Sequence, residues 1–357
     1  MKVLLDYQTA VGGLNTGVGV YTEDLGLALK ARVGEGLALA RRAGDAPIRT
    51  IPERLQWEQW GLLAEVRRRR PDLLHSPGFT APFLYRGPLV VTAHDIAIVK
   101  NPQWMRSALS RIYWRDLTVA TYRRASRIIA VSRYTKDNLV EHLSLPAEKI
   151  TVVHSGTPAD CRRAAGAAER VEKQWGVRDF ILFVGTFEPR KNLSGVLDAY
   201  LFYTQGGGHA PLVLAGGGTG EYADRLRQAI QPHVEAGRMK ATGFLSRPDL
   251  IDLYSAAMVL FFPSLEEGFG FPALEAMVCG CPVIVSRQGP FLELLEDAAM
   301  FVSPQDAGEM GRALQRMESN DAQRQDFVRR GLACAAQYTW DKTAEKTAAV
   351  YREVVGA

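Results

Sequence analysis

Pro263-Ser264-Leu265-Glu266-Glu267-Gly268-Phe269-Gly270-Phe271-Pro272-Ala273-Leu274-Glu275-Ala276-Met277 is preceded by the unbroken apolar run Met258-Val259-Leu260-Phe261-Phe262. A short run without alternation, closed by a turn, reads as a strand buried on both faces. Gly268 and Gly270 let the backbone turn tightly and approach a ligand. Pro272 suits the first position of a helix, where its missing N–H costs nothing. The stretch therefore reads as strand, loop and helix, with the loop at the strand's carboxyl end. Glu267 lies in that loop, and Glu275 is placed in the first turn of a helix over 272–278. A helix start attracts phosphate through its free amides, and pocket carboxylates accept paired sugar hydroxyls. The same residues also fit a blander role, with Glu275 complementing the helix dipole for about 0.3–1 kcal/mol and Glu266 or Glu267 solvated.

The pattern repeats in both directions. Upstream, strand-like runs at 3–6, 72–75, 89–93, 127–131 and 150–154 alternate with helical periodicity at 21–30, 56–70 and 106–124. A second series runs through 180–185, 211–216, 239–242, 258–263, 282–285 and 300–302, with helices at 193–203, 222–235, 248–256, 272–278 and 308–319. Apolar runs alternating with helices predict parallel sheets covered on both faces. Two series that each start afresh predict two doubly wound α/β domains, over 1–157 and 172–337. The link falls at 157–171. A last helix over 340–357, capped by Thr339, is the remaining element. In such sheets ligands bind outside the carboxyl ends of the strands, where strand order reverses.

Composition is that of an ordinary globular protein: 357 residues, 47% apolar and 23% charged. No run reaches the ~18 apolar residues of a membrane span, and 1–6 reads as a strand rather than a signal peptide. The expectation is a cytoplasmic protein. Cys161, Cys279, Cys281 and Cys334 have no His at metal-ligand spacing and read as reduced core thiols, with no metal site. The net charge of +4 conceals an imbalance. Residues 1–160 carry 22 Lys and Arg against 15 Asp and Glu, whereas the remainder is mildly acidic. Arg67–Arg70 end a helical pattern, where four cations complement its dipole or are simply solvated. The aromatic-basic stretch 104–115 fits either a peripheral contact with an anionic membrane or Trp and Tyr packed into the domain with Arg outside. No nucleic-acid-binding motif accompanies the basic residues.

Further chemistry sits after other strands. Gly185-Thr186-Phe187-Glu188-Pro189-Arg190-Lys191-Asn192 follows a strand and opens a helix, so Arg190 and Lys191 can neutralise a departing diphosphate or form a solvated basic turn. The loop 12–21, with Gly12, Gly13, Gly17 and Gly19, does not meet the spacing of a dinucleotide fingerprint. His94, next to Asp95, ends the run Thr92-Ala93, and a lone His at such a place is more often structural than catalytic. His75 is read as structural. Gly216 to Gly220 and Thr242 to Ser246 are tight turns, or places where a nucleotide approaches the backbone, Phe244 included.

The segment Glu267-x7-Glu275, with Gly280-Cys281-Pro282-Val283 after it, resembles the signature of glycosyltransferase family 4. The resemblance extends over most of the chain, and the Glu-Pro-Arg-Lys-Asn variant is similar to that of bacterial mannosyl- and glucosyltransferases of surface polysaccharide synthesis. It implies the GT-B fold: two Rossmann-like domains facing across a cleft, with the last helix crossing back to the first domain through a hinge at 337–339. It implies that Glu275 binds ribose hydroxyls, that Glu267 holds the donor sugar, and that Gly268, Phe269, Gly270 and Phe271 contact sugar or phosphate. Lys191 and Arg190 take the phosphate; many relatives carry an arginine where this chain has Thr186, which favours Lys191. Gly17, Gly19, Gly185, Gly216 and the Phe244 backbone contact the donor, and His94 with Asp95 behind it contacts sugar and acceptor. The implied reaction is retaining hexosyl transfer from a GDP-mannose- or UDP-glucose-type donor to a sugar, lipid-linked or other hydroxyl acceptor, without metal or cofactor. A nucleotide-sugar epimerase of the same fold and a non-catalytic nucleotide-sugar-binding scaffold are the alternatives.

Overall fold

The computed structural model describes all residues except 12–15, 49, 105–110, 159 and 357. The chain divides into two compact units, Met1–Pro158 with Tyr338–Ala357, and Ala159–Gln337.

The sheet of the first unit is wholly parallel, in the order β2-β1-β3-β4-β5-β6: β1 Val3–Asp6, β2 Leu37–Ala40, β3 Leu73–Ser76, β4 Leu89–Ala93, β5 Arg127–Ala130 and β6 Ile150–Val152. β1, β3 and β4 are buried along their whole length, which is why they read as mainly apolar runs, with Asp6, His75, Ser76 and Thr92 as buried polar exceptions. Strand order reverses between β1 and β3. One core cluster joins Leu4, Leu74, Val91 and Ile128 to Trp57, Leu62, Tyr122 and Leu139 on the covering helices. The last helix, Trp340–Gly356, belongs to this unit. Thr339 caps it, Thr157 N–H donates to the Tyr338 carbonyl at 3.0 Å, and the buried Tyr351 hydroxyl meets His75 Nδ1 at 2.6 Å. Thr92 Oγ1 lies 2.9 Å from His75 Nε2, and burial depresses the His75 pKa to about 3. The ring is therefore neutral and structural.

The second unit holds a parallel sheet in the order β12-β11-β10-β7-β8-β9: β7 Ile181–Val184, β8 Leu212–Ala215, β9 Met239–Gly243, β10 Val259–Phe262, β11 Val283–Ser286 and β12 Met300–Val302. The order reverses between β7 and β10, which pair directly. The Pro263–Met277 stretch starts at the carboxyl end of β10, and the Arg190–Lys191 turn comes after β7. Both lie at the reversal. Among the described residues, no helix is long and apolar enough to cross a membrane.

Several boundaries differ from the sequence reading. The first helix runs over Gly17–Val33, so Gly17 and Gly19 lie in its first turn rather than in a loop. Thr16 starts it early by accepting the Gly19 N–H at 3.1 Å. Gly12 and Gly13 lie outside the described residues, as do Met105 and Arg106. The stretch read as a link contains the start of the helix Ala167–Trp175. The helix read over 56–70 is interrupted by a π-turn at Trp57–Gly61, and a second π-turn occupies Ile112–Leu117. Tyr113 and Trp114 in the latter pack edge-to-face at 4.8 Å, which favours packed aromatics for that segment. Glu65 holds Arg68 and Arg69 in ion pairs at the end of the helix Leu62–Arg69.

Candidate active site

Two loops meet at the strand reversal of the second unit. The Leu265 N–H donates to the Arg190 carbonyl at 2.8 Å, which ties the loop after β10 to the loop after β7. Asn192 pins the arrangement from behind. Its backbone takes a left-handed conformation (φ 59°), and its side-chain amide donates to the carbonyls of Pro263 at 3.0 Å and Pro304 at 2.8 Å. In the sequence this asparagine is only the last letter of the Glu-Pro-Arg-Lys-Asn motif; in the fold it is the joint of the site.

Lys191 and Glu267 are both buried, with 7% and 8% of their surface exposed. Lys191 Nζ donates to Glu267 Oε1 at 2.5 Å and lies 4.7 Å from the centre of the Phe262 ring. Arg190 Nη1 lies 3.5 Å from Glu267 Oε2, while its Nε donates to Glu188 at 3.0 Å. Burial opposes both charges of the pair. At Glu267 the two cations outweigh desolvation and hold the carboxyl below its usual range. At Lys191 burial and Arg190 lower the pKa, and Glu267 opposes them. Glu267 is therefore held ionised, with Lys191 fixed against it. Residues that the sequence placed in separate roles form one ion triad.

Glu275 is the fifth residue of the helix Phe271–Val278, so it stands in the second turn and Pro272 in the second position. Gly270, at φ 90°, makes the turn one residue earlier than read. Dipole effects fade beyond the first turn, which weakens the bland reading of Glu275. Its carboxylate accepts from Arg247 Nη1 at 2.7 Å and from the Tyr254 hydroxyl at 3.1 Å. Arg247 and Tyr254 were missed. Arg247 had a readable signal: a cation opening the helix Arg247–Ala256, against the dipole. Tyr254 had none.

Gly185 and Gly216 stand back to back. Gly216 has φ 130°, and a Cβ there would lie 2.1 Å from the Gly185 carbonyl oxygen. Gly216→Ala is therefore expected to cost at least about 1–3 kcal/mol in backbone strain alone. Thermal melts of the variant check this, and an unchanged midpoint would contradict it. A cavity of about 240 Å³ opens beside these turns, lined by Phe187, Gly216, Gly217, Gly218, Gly243 and Phe244. The Phe244 ring is 75% exposed. A larger groove of about 650 Å³ lies at the amino ends of the strands, by Pro211, Met258 and Pro282, away from this chemistry. All four cysteines are free.

In the first unit, His94 is buried and its Nε2 donates to the Pro77 carbonyl at 2.7 Å. Burial lowers its pKa, with Pro77 and Asp95 opposing, so the ring is neutral. Asp95 does not orient it by a hydrogen bond: its Oδ1 accepts the Ala97 N–H at 3.0 Å, at the start of the helix Ala97–Lys100. The ring is instead steered by the Pro77 carbonyl and by edge contacts with Tyr21 and Phe79.

Comparison with known proteins agrees with this layout. Residues 168–333 match the family described as glycosyl transferases group 1, and residues 16–160 match glycosyltransferase family 4. The chain is 29% identical over 296 residues to the O-antigen chain mannosyltransferase B of Escherichia coli, covering 80% of this chain and 76% of that protein. It is 30% identical over 264 residues to the serotype-specific mannosyltransferase WbdA of Escherichia coli, covering 71% of this chain but only 32% of that longer protein. Among solved structures, sucrose-phosphate synthase from Thermosynechococcus elongatus superposes over the whole of both chains with a TM-score of 0.80 at 20% identity. Anabaena HepE, solved with UDP and glucose, does so with 0.74 at 21%, over 98% of this chain and 99% of its own. Their fold is GT-B, and with family matches in both units this chain belongs to the family 4, group 1 glycosyltransferases.

Proposed function

We propose that the chain transfers a hexose, with retention of configuration, from a nucleotide-sugar to an acceptor hydroxyl in polysaccharide or glycolipid synthesis. The observation that carries this reading is the Lys191–Glu267–Arg190 triad at the strand reversal, with Glu275 on the helix after it. Lys191 and Arg190 neutralise the diphosphate as it leaves, assisted by the amides at the start of the helix Phe271–Val278. Fixed cations then supply the charge that a divalent metal supplies elsewhere, so no metal is needed. Glu267 orients the donor sugar and Glu275 accepts from the ribose hydroxyls. The base lies by Gly216 and Phe244, and His94 contacts the transferred sugar. The departing phosphate takes the acceptor proton. The names of the O-antigen relatives favour a GDP-mannose-type donor, and the UDP complexes of HepE keep UDP-glucose as the alternative.

A thermal-shift screen with UDP, GDP, ADP and their sugars tests this. A nucleotide present at a hundred times its Kd stabilises by about 2.7 kcal/mol, and one of the three is expected to do so, GDP first. Turnover is then measured with the matching donor, with and without mannose-terminated acceptors. Conversion of donor alone to an epimer would replace this reading with the isomerase. Binding without turnover would favour the scaffold.

A further inference from the structure

The carboxylate Glu275 does not stand alone in its pocket. Two donors from one helix hold it: Arg247 at the first position and Tyr254 seven residues, or two turns, further on and hence on the same face. Each takes a different carboxylate oxygen. A carboxylate offers about four acceptor sites, so among the described residues one lone pair on each oxygen stays open. Two adjacent acceptors match the paired 2′ and 3′ hydroxyls of a ribose.

Arg247 is fixed in turn. Its Nε and Nη2 donate to the two oxygens of Asp160 at 3.1 and 3.2 Å, and Nη2 reaches Cys161 Sγ at 3.0 Å. The guanidinium is thus clamped along one edge and presents Nη1 to Glu275. Burial works against its charge, but Glu275 and Asp160 outweigh that and hold it above its ordinary range. A planar donor clamped on two sides sets an orientation that a flexible ammonium would not.

We propose that Arg247 is the positioning residue of the ribose site: it fixes the Glu275 carboxylate so that the protein prefers ribonucleotides to nucleotides lacking the ribose hydroxyls. The inference rests on the reading of Glu275 given under Proposed function.

The test measures affinity by calorimetry for UDP, GDP and ADP and for their 2′,3′-dideoxy counterparts, in the wild type, Arg247→Ala, Arg247→Lys and Asp160→Asn. The wild type is expected to prefer the ribonucleotide by about tenfold or more, the scale of hydrogen bonds to a charged group. Arg247→Ala should shrink that preference to below about threefold by weakening the ribonucleotide alone, with dideoxynucleotide affinity kept. Arg247→Lys should restore it in part, and Asp160→Asn should lower it less than Arg247→Ala. A merely structural role would weaken both nucleotides equally, and that result, or an unchanged preference, overturns the proposal. Should Arg247→Ala not fold, the lysine and Asp160→Asn variants carry the same comparison. A wild type that binds ribo- and dideoxynucleotides alike refutes the ribose role of Glu275 itself. One that binds none of the three nucleotides refutes the donor site.

Discussion

Lys191→Ala is expected to lower the rate of sugar transfer by about 10²–10³-fold, the range seen when one fixed donor to a developing negative charge is removed. Lys191 is buried, and its direction is set by Glu267 at 2.5 Å and by the Phe262 ring. No water-exposed cation can replace a charge held in that place. Arg190 stands elsewhere in the triad, partly exposed and with its Nε held by Glu188, so it does not fill the buried place of Lys191. The same substitution strands Glu267, leaving Arg190 at 3.5 Å as its remaining cation in the triad. Removing one member of a buried pair costs about 3–5 kcal/mol, so lost activity could reflect lost fold. The double variant Lys191→Ala with Glu267→Ala separates the two. It should recover part of the stability lost in either single variant, since no charge is left unpaired. It should not recover transfer. Single-turnover rates and melting midpoints for the three variants decide the matter. Transfer within about threefold of wild type in Lys191→Ala would remove the residue from the mechanism.

Much of this site is legible in the chain because its residues stand directly after strands buried on both faces. Val259–Phe262 and Ile181–Val184 are almost wholly apolar, so their carboxyl ends are plain, and the site begins at those ends. The features that failed to show have a common physical cause. β2, Leu37–Ala40, is a four-residue edge strand, only partly buried, that starts straight after the Gly34–Gly36 turn, so its short apolar run does not stand out. The helices Arg133–Leu143 and Asp321–Ala335 escape notice because charged residues dilute their apolar periodicity. The Lys191–Glu267 pair spans 76 residues, and the Asp160–Arg247–Glu275 chain joins three separate elements. No local pattern specifies such pairings. They depend on which strands the topology makes neighbours, and the β7–β10 contact is itself a crossover.

The second large effect is on stability and comes from Glu58, in the π-turn Trp57–Gly61 of the first unit. Only 3% of this residue is exposed. Tyr113, from the other π-turn, donates its hydroxyl to Oε1 at 2.7 Å, while Oε2 is buried with no hydrogen-bond partner among the described residues. Burial raises the carboxyl from 4.5 to about 7; Thr80, Tyr113 and Arg54 lower it in part, and Asp6 adds to the rise. Between those two pH values the folded protein holds a proton that the unfolded chain has released. Stability from this group is therefore complete below about pH 4.5 and is lost as pH rises through about 7. The shift corresponds to about 3 kcal/mol, or roughly 6–12 °C in melting midpoint for a unit of this size. Glu58→Gln keeps the shape but cannot ionise. Its buried amide adds a cost that is the same at every pH, so the slope carries the information and the absolute midpoint does not. Asp6, whose pKa burial also raises, contributes a decline of the same sign in both proteins. Melting midpoints at pH 5 and pH 8 should fall by several degrees more in the wild type than in Glu58→Gln. Equal declines would mean that Glu58 is already ionised within the fold, and that solvent or a donor reaches Oε2.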